Sequence, residues 1–491
     1  MSDNYSGSGL TARDRARLSR IPSDRAKVAT LAATGLVAAF LQTLVTPVFP
    51  ELPRLLDTTP ADASWVLTST LLSAAISTPI SGRLGDMYGK RRVMLALLAI
   101  MTLGSVLAAL STTLIPMIVA RSLQGVGLGV IALGISILRD VIHPKALGGA
   151  VALVSATLGI GGALGLPLAA IIAQTVDWHY LFWLAAVFGL AAMGLVARII
   201  PVSTLRTGGR FDVLGAVGLG VGLVGILLAV SKGTEWGWSS PVTIGLLAGG
   251  VLVLVVWGFV ELRTKDALID LRVAARRPVL LTNLASIAVG FAFFICSASL
   301  PILLESPSST GVGFGLPLLL ASFCLMPLGL VMFFTSPIAA RLTAARGART
   351  SFILGQVVIA ATFAVAGLVI HEVWHVVLIS TLVGVGVGFA YAAMPTLIMR
   401  AVPPSETAAA NGLNSVMRTL GSTIAATVAG IILSTHAVVA DGISIPTRDG
   451  FQIVFAVGAA VVAVAVVIAA FIPKEQNRYD DTASIPVNRG E

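Results

Sequence analysis

The sequence predicts an all-α polytopic membrane protein of about fourteen transmembrane helices, and three observations carry that prediction. Of its 491 residues, 56% are hydrophobic and only 11% are charged, where a soluble domain carries about 25%. The charges fall in short bursts between apolar runs of roughly twenty residues, enough to cross about 30 Å of hydrocarbon. The basic residues also keep to one side when the runs are threaded back and forth. A soluble chain this long would divide into domains, and the charge is too sparse to cover their surfaces. Lipid admits only helices or closed barrels. Strict two-residue alternation is absent, so a barrel is excluded.

In chain order, the runs fall near residues 28–49, 64–82, 93–111, 114–138, 148–173, 180–200, 213–231, 241–260, 278–303, 315–340, 349–370, 374–399, 408–435 and 451–472. They are helices 1 to 14. Residues 1–27 are polar and basic (Arg13, Arg15, Arg17, Arg20, Arg25, Lys27) with no short apolar core and cleavage site; they read as a cytoplasmic tail rather than a signal peptide. Residues 473–491 form the matching tail.

With both termini inside, the inner segments hold Arg83, Lys90, Arg91 and Arg92, then Arg139 and Lys145, then Arg198, Arg206 and Arg210. Arg263, Lys265, Arg272, Arg276 and Arg277 follow, then Arg341, Arg346 and Arg349, then Arg400, with Lys474, Arg478 and Arg489 in the tail. The outer segments hold only Arg54, Lys232 and Arg448. This positive-inside bias predicts a bacterial-type inner membrane with cytoplasmic ends. It also accounts for the net charge of +9 without a nucleic-acid partner. Trp65, Trp178, Trp183, Trp236, Trp238 and Trp374 all fall at outer helix ends, as an interfacial belt requires. Cys296 and Cys324 lie inside apolar runs and predict packing rather than a disulfide.

The chain repeats itself. TPISGRLGDMYGKR from Thr78 matches SPIAARLTAARGAR from Ser336, pairing Pro79 with Pro337 (337 − 79 = 258) and Arg83, Gly89 and Arg91 with Arg341, Gly347 and Arg349. GVGLG from Gly125 matches GVGVG from Gly384 (384 − 125 = 259). The expected organisation is two six-helix halves, 28–200 and 278–472, with helices 7 and 8 inserted at 201–277. Paired halves around a central cavity are a transporter architecture.

Four segments carry candidate chemistry. After helix 2, Gly82-Arg83-Leu84-Gly85-Asp86-Met87-Tyr88-Gly89-Lys90-Arg91-Arg92 sets one acid in a basic loop, where a carboxylate suits a helix start or a neighbouring cation. Its copy has Ala344 in place of Asp86. In helix 4, Arg121 and Gln124 precede the glycine run; an intramembrane arginine implies a cavity or a partner. No strand precedes that run, so small-residue helix packing explains it better than a nucleotide loop. Helix 5 carries Gly159, Gly161, Gly162, Gly165 and Pro167. In helix 13, Asn411, Asn414 and Arg418 share one face, which is expected to line the cavity, with interhelical hydrogen bonding as the alternative; Asn283, Gln356 and Tyr391 are weaker candidates of the same kind.

On these segments the sequence resembles the major facilitator superfamily, in its fourteen-helix drug:proton antiporter branch. The resemblance implies that the helix 2–3 segment is a conformational latch, with Asp86 facing the start of helix 13 near Ser405 to Ala408. It implies that Asp140 pairs with Arg83 or Arg91, and that the helix 5 glycines and Pro167 belong to an antiporter motif. Two departures stand out: Leu166 breaks the usual Gly-Pro step, and Leu41-Gln42-Thr43 stands where the branch commonly carries a membrane aspartate. Gln42 takes up no proton near neutral pH. The acids nearest the membrane are Glu51, Asp140, Glu261 and Glu305, against basic Arg121 and Arg418 in central spans.

The expected function is therefore proton-coupled export of small apolar or amphiphilic molecules by alternating access, by a monomer without metal or cofactor. A net-positive pore favours neutral or anionic substrates. The alternative within transport is a lipid or metabolite exporter with little proton coupling. A remote alternative is an intramembrane metalloprotease, since His371-Glu372-Val373-Trp374-His375 fits H-E-x-x-H, with Asp441 in a separate outer loop as the only imaginable third ligand.

Overall fold

The computed structural model describes residues 22–202, 209–308, 312–440 and 443–473. The two tails up to Arg20 and from Lys474, together with Arg206 and the Asp441-Gly442 pair, lie outside the described residues. Fourteen long helices follow in order: α1 (Asp24–Thr43), α2 (Trp65–Tyr88), α3 (Lys90–Ala109), α4 (Leu114–Val141), α5 (Pro144–Thr175), α6 (Tyr180–Ile199) and α7 (Val213–Trp236). The rest are α8 (Pro241–Glu261), α9 (Arg277–Glu305), α10 (Leu318–Arg346), α11 (Ala348–Val369), α12 (Val373–Ala401), α13 (Thr407–Thr435) and α14 (Arg448–Ala470). A small antiparallel pair, β1 (Ala437–Ala440) and β2 (Ile443–Pro446), connects α13 to α14.

Thirteen of the helices are long and apolar enough to cross a membrane; α2 is long enough but too polar by that measure. Its hydroxyls are dealt with internally. Thr70 and Thr78 donate to carbonyls one turn back, and Ser77 donates to the Val126 carbonyl at 2.8 Å. The helix is flanked by α4, α7 and α13 and is buried among them, so hydroxyls cost little there.

Helix 2 runs further than expected. Gly82 to Tyr88 is helix, not loop, and the whole connection to α3 is Gly89, at φ +103°. A single left-handed glycine ends one helix and starts the next. Gly347, at φ +85°, does the same between α10 and α11 (347 − 89 = 258). The helix 4 run is divided at Leu128-Gly129 into Leu114–Gly127 and Val130–Val141.

The packing repeats at the offset of the sequence. A Cβ on Gly125 would strike the Thr70 carbonyl, and one on Gly384 the Leu328 carbonyl (328 − 70 = 258). Gly127 lies against Leu97 and Met101; Gly386 lies against Gly355 and Ile359 (355 − 97 = 258). Arg91 donates to the Ala197 carbonyl at the end of α6, and Arg349 to the Ala470 carbonyl at the end of α14. One buried core draws almost wholly on α1–α6 and a second on α9–α14. A smaller core joins α7 and the segment after α8 to Ala75 of α2 and Val416 of α13. The inserted helix thus covers the seam where α2 meets α13.

The helix ends that carry Arg83, Lys90, Arg139, Arg349 and Arg400 define a basic face, and the tryptophan-bearing ends define the opposite face. Buried clusters that join the two sets of helices lie toward the basic face. One contains Ala152 of α5, Ala339 of α10, and Phe389 and Ala392 of α12. At mid-helix, Gly159 and Gly329 bring α5 and α10 into backbone contact.

Candidate functional site

At the basic face, the last turn of α2 meets the first turn of α13. Gly82 sits against the Ala408 carbonyl, where a Cβ would come within 2.6 Å. That approach lets Asp86 Oδ2 accept the Ala409 N–H at 3.2 Å. A carboxylate is favoured there because helix N-termini leave N–H groups unpaired. Asp86 and Lys90 are both about 1% exposed. Lys90 Nζ lies 2.9 Å from Asp140 Oδ1 and 3.7 Å from Asp86 Oδ1. The expected partner of Asp140 was Arg83 or Arg91, and this is corrected: Lys90 takes that position, because Arg91 is drawn across to the α6 terminus. Arg83 is half-buried, and its Nε has no hydrogen-bond partner. It lines a cavity of about 480 Å³ with Glu261, Asp270 and Glu406.

A second bond crosses the same seam. Arg139 Nη1 donates to Thr407 Oγ1 at 2.6 Å, and its Nη2 to the Val402 carbonyl at 3.2 Å. In the sequence Arg139 stands as one more inner charge. Only its place beside Asp140 could have hinted that it would reach the other set of helices.

Toward the opposite face, Arg121 is 1% exposed and holds three helices together. It donates to Gln124 Oε1 at 2.7 Å, to the Leu41 carbonyl of α1 at 3.3 Å and to the Val66 carbonyl of α2 at 3.4 Å. Gln124 passes the chain on to Ser105 Oγ at 2.9 Å. Arg121 and Gln124 therefore face a polar network rather than a cavity. Gln42, one residue past that network, is exposed.

The helix 13 stripe divides. Asn411 donates to its own Thr407 carbonyl, and Asn414 donates to Asn283 Oδ1 and Ser286 Oγ of α9, each at 2.9 Å. Both are buried, so the expected cavity lining is corrected to hydrogen bonding within and between helices. Buried amides in lipid take partners wherever a neighbouring helix offers them. Arg418 differs: it is half-buried, donates to Ser415 Oγ at 3.2 Å, and stacks over Tyr391 at 4.6 Å. Phe293 lies 6.4 Å from the same ring.

In α5, Gly161 and Gly165 face α1, where Ala39, Phe40 and Thr43 fill the space a Cβ would need, while Gly159 faces Gly329 of α10. Pro167 sits inside α5. At the opposite face, Lys232 is buried, pairs with Glu235 Oε2 at 2.8 Å, bonds Ser64 and lies 4.9 Å over the Trp65 ring. This outer cation pins α7 to the start of α2. In the H-E-x-x-H segment, α12 begins at Val373, so His371 precedes the helix, with its ring 6.3 Å from that of His375. Glu372 caps that helix together with His375, and His371 bonds Arg448.

The profile of the Major Facilitator Superfamily matches residues 31–425 and 329–486. A putative multidrug resistance protein, MdtD, of Escherichia coli O6:H1 is 28% identical over 448 residues, covering 89% of this chain and 92% of that protein. Multidrug resistance protein 3 of Bacillus subtilis is 25% identical, covering 75% of this chain and 72% of that one. An uncharacterized MFS-type transporter of Mycobacterium tuberculosis is 29% identical over 57% of this chain, and the match spans 41% of that protein's length. Among solved structures, the human organic anion transporter MFSD10 (TETRAN) superposes with a TM-score of 0.65 at 15% identity, over 91% of this chain and all of that one. That likeness is one of fold.

Proposed function

This chain belongs to the Major Facilitator Superfamily, and on that premise we propose that it exports small apolar or amphiphilic compounds by alternating access, with its basic face toward the cytoplasm. The observation that carries this reading is the closure at that face. Asp86 and Arg139 from the first set of helices hold the start of α13 in the second. Such contacts stabilise one of two end states and must break in the other. The units 28–200 and 278–472 are the bodies that rock, and the protein works as a monomer.

The substrate class follows from charge. Among the described residues, the middle of every long helix lacks Asp and Glu, while Arg121 and Arg418 are intramembrane cations. Arg121 is enclosed, so Arg418, backed by Tyr391 and Phe293, is the cation a substrate would meet. It favours neutral or anionic amphiphiles with an aromatic part. Proton entry would supply about 2.3 kcal/mol per charge per 100 mV. The protein should be tested in proteoliposomes with an imposed pH gradient, comparing anionic and divalent cationic dyes. Gradient-driven uptake of the anionic dye, reduced by Arg418→Ala, is expected. Preferential transport of the dication would overturn the substrate class. Uptake indifferent to the gradient would favour the second reading, a lipid or metabolite exporter with little coupling, which Gln42 in place of an acid supports.

A further inference from the structure

At the basic-face end of the inserted pair, two carboxyl groups converge. Asp212 caps α7, its Oδ1 accepting the Gly215 N–H at 2.7 Å. Glu261 ends α8, is 2% exposed, and its Oε1 accepts the Ile269 N–H at 2.8 Å. The remaining oxygens, Asp212 Oδ2 and Glu261 Oε2, are both buried without a hydrogen-bond donor. They occupy the same small space: a Cβ on Gly215 would meet both, lying 2.7 Å from Glu261 Oε2. Glycine at 215 is what allows the two carboxyls to close on each other.

Two ionised carboxylates so placed repel, and burial strengthens the repulsion. A proton between them turns the clash into a hydrogen bond, since a protonated carboxyl is a donor. A neighbouring cation could serve instead. The segment after α8 carries Arg263, Lys265 and Arg272, with Asp266 and Asp270 among them, and Arg83 and Glu406 face the same cavity from α2 and the start of α13. Arg272 Nη2 donates to the Leu262 carbonyl, and Arg210, two residues before Asp212, donates its backbone N–H to Asp266. Among the described residues, no cation forms an ion pair with Asp212 or Glu261.

We propose that Asp212 and Glu261 form a proton-binding site that fastens the segment after α8 to the helical body. Glu261 holds that segment through Ile269, and Leu268 and Ile269 are buried with Ala75 of α2 and Val416 of α13. Further along, Arg276 donates to the Ala401 carbonyl of α12 at 2.9 Å. Losing the proton therefore loosens a strap that lies across the α2–α13 seam.

Hydrogen exchange of the full chain in lipid nanodiscs, corrected for intrinsic exchange, tests this between about pH 6 and about pH 9. Protection of residues 262–273 should fall at least about fivefold toward high pH in the wild type. Glu261→Gln can donate to Asp212 and still accept from Ile269, so it should hold its protection across the range. Asp212→Asn should behave likewise. Constant wild-type protection would overturn the proposal. So would unchanged pH sensitivity in both variants, or protection that follows sodium concentration at fixed pH. The measurement needs no substrate, so its failure leaves the export reading intact, and failure of transport leaves the proton site intact.

Discussion

Lys90 is the residue on which the basic-face network turns. It lies between two buried carboxylates, and removing it takes away the cation that Asp86 and Asp140 share. Breaking a buried pair from one side costs about 3–5 kcal/mol. Lys90→Met should therefore lower the thermal unfolding midpoint of the purified protein sharply. Asp86→Asn keeps an acceptor for the Ala409 N–H and should unfold close to wild type while transporting more slowly. If fluorescence-detected unfolding ranks the two variants the other way, Lys90 is not the central cation. The sequence showed Asp86 because it is the lone acid in a basic burst. It could not show Lys90, since Lys90, Arg91 and Arg92 read as equivalent charges until α3 turns one inward and sends another to α6. Arg121 was legible as a buried cation, but two of its three partners are backbone carbonyls of α1 and α2, which no composition records.

At the scale of elements, glycines set how closely helices approach. Gly159 and Gly329 meet backbone to backbone between α5 and α10, with no room for a Cβ on either. A valine there must push the helices apart, an overpacking worth about 1–3 kcal/mol. Gly329→Val should leave each six-helix core folded but abolish transport in everted vesicles, whereas Gly245→Val, with open space around it, should transport normally. Equal activity of the two would show that the α5–α10 contact is dispensable. The number of long helices was readable from run length because a bilayer sets the length that a crossing needs. The extension of α2 to Tyr88 was not, because Arg83 and Asp86 look like loop residues until tertiary partners bury them. The β1–β2 pair between α13 and α14 was missed for a similar reason: short apolar strands beside a membrane run share its composition.

Across the whole molecule, the fold is nearly symmetric and its polar machinery is not. Asp86 and Lys90 correspond to Ala344 and Ala348 in the second half, Asp140 corresponds to Met399, and Arg121 to Ser380. Glycine packing and the Arg91/Arg349 contacts repeat while the buried Asp86, Lys90, Asp140 and Arg121 do not, so the first half carries the groups that grip and the second presents the helix end that is gripped. If alternating access operates through this seam, α2 and α13 must separate in every cycle. The Gly82→Cys/Ala409→Cys pair, in a Cys296→Ala/Cys324→Ala background, places the two sulfurs across the contact where a Gly82 Cβ would lie 3.0 Å from the Ala409 Cα. Oxidation should stop transport in proteoliposomes, reduction should restore it, and each single cysteine should be indifferent to oxidant. Since Gly82→Cys itself crowds the Ala408 carbonyl, a second pair is needed. Arg83→Cys with Glu406→Cys, bridged by a short bifunctional thiol reagent across the cavity that both line, avoids that crowding. Full cross-linking of either pair with undiminished transport would mean that the seam stays shut through the cycle. The closure by Asp86 and Arg139 would then be permanent architecture, and the moving interface would have to be sought between α5 and α10.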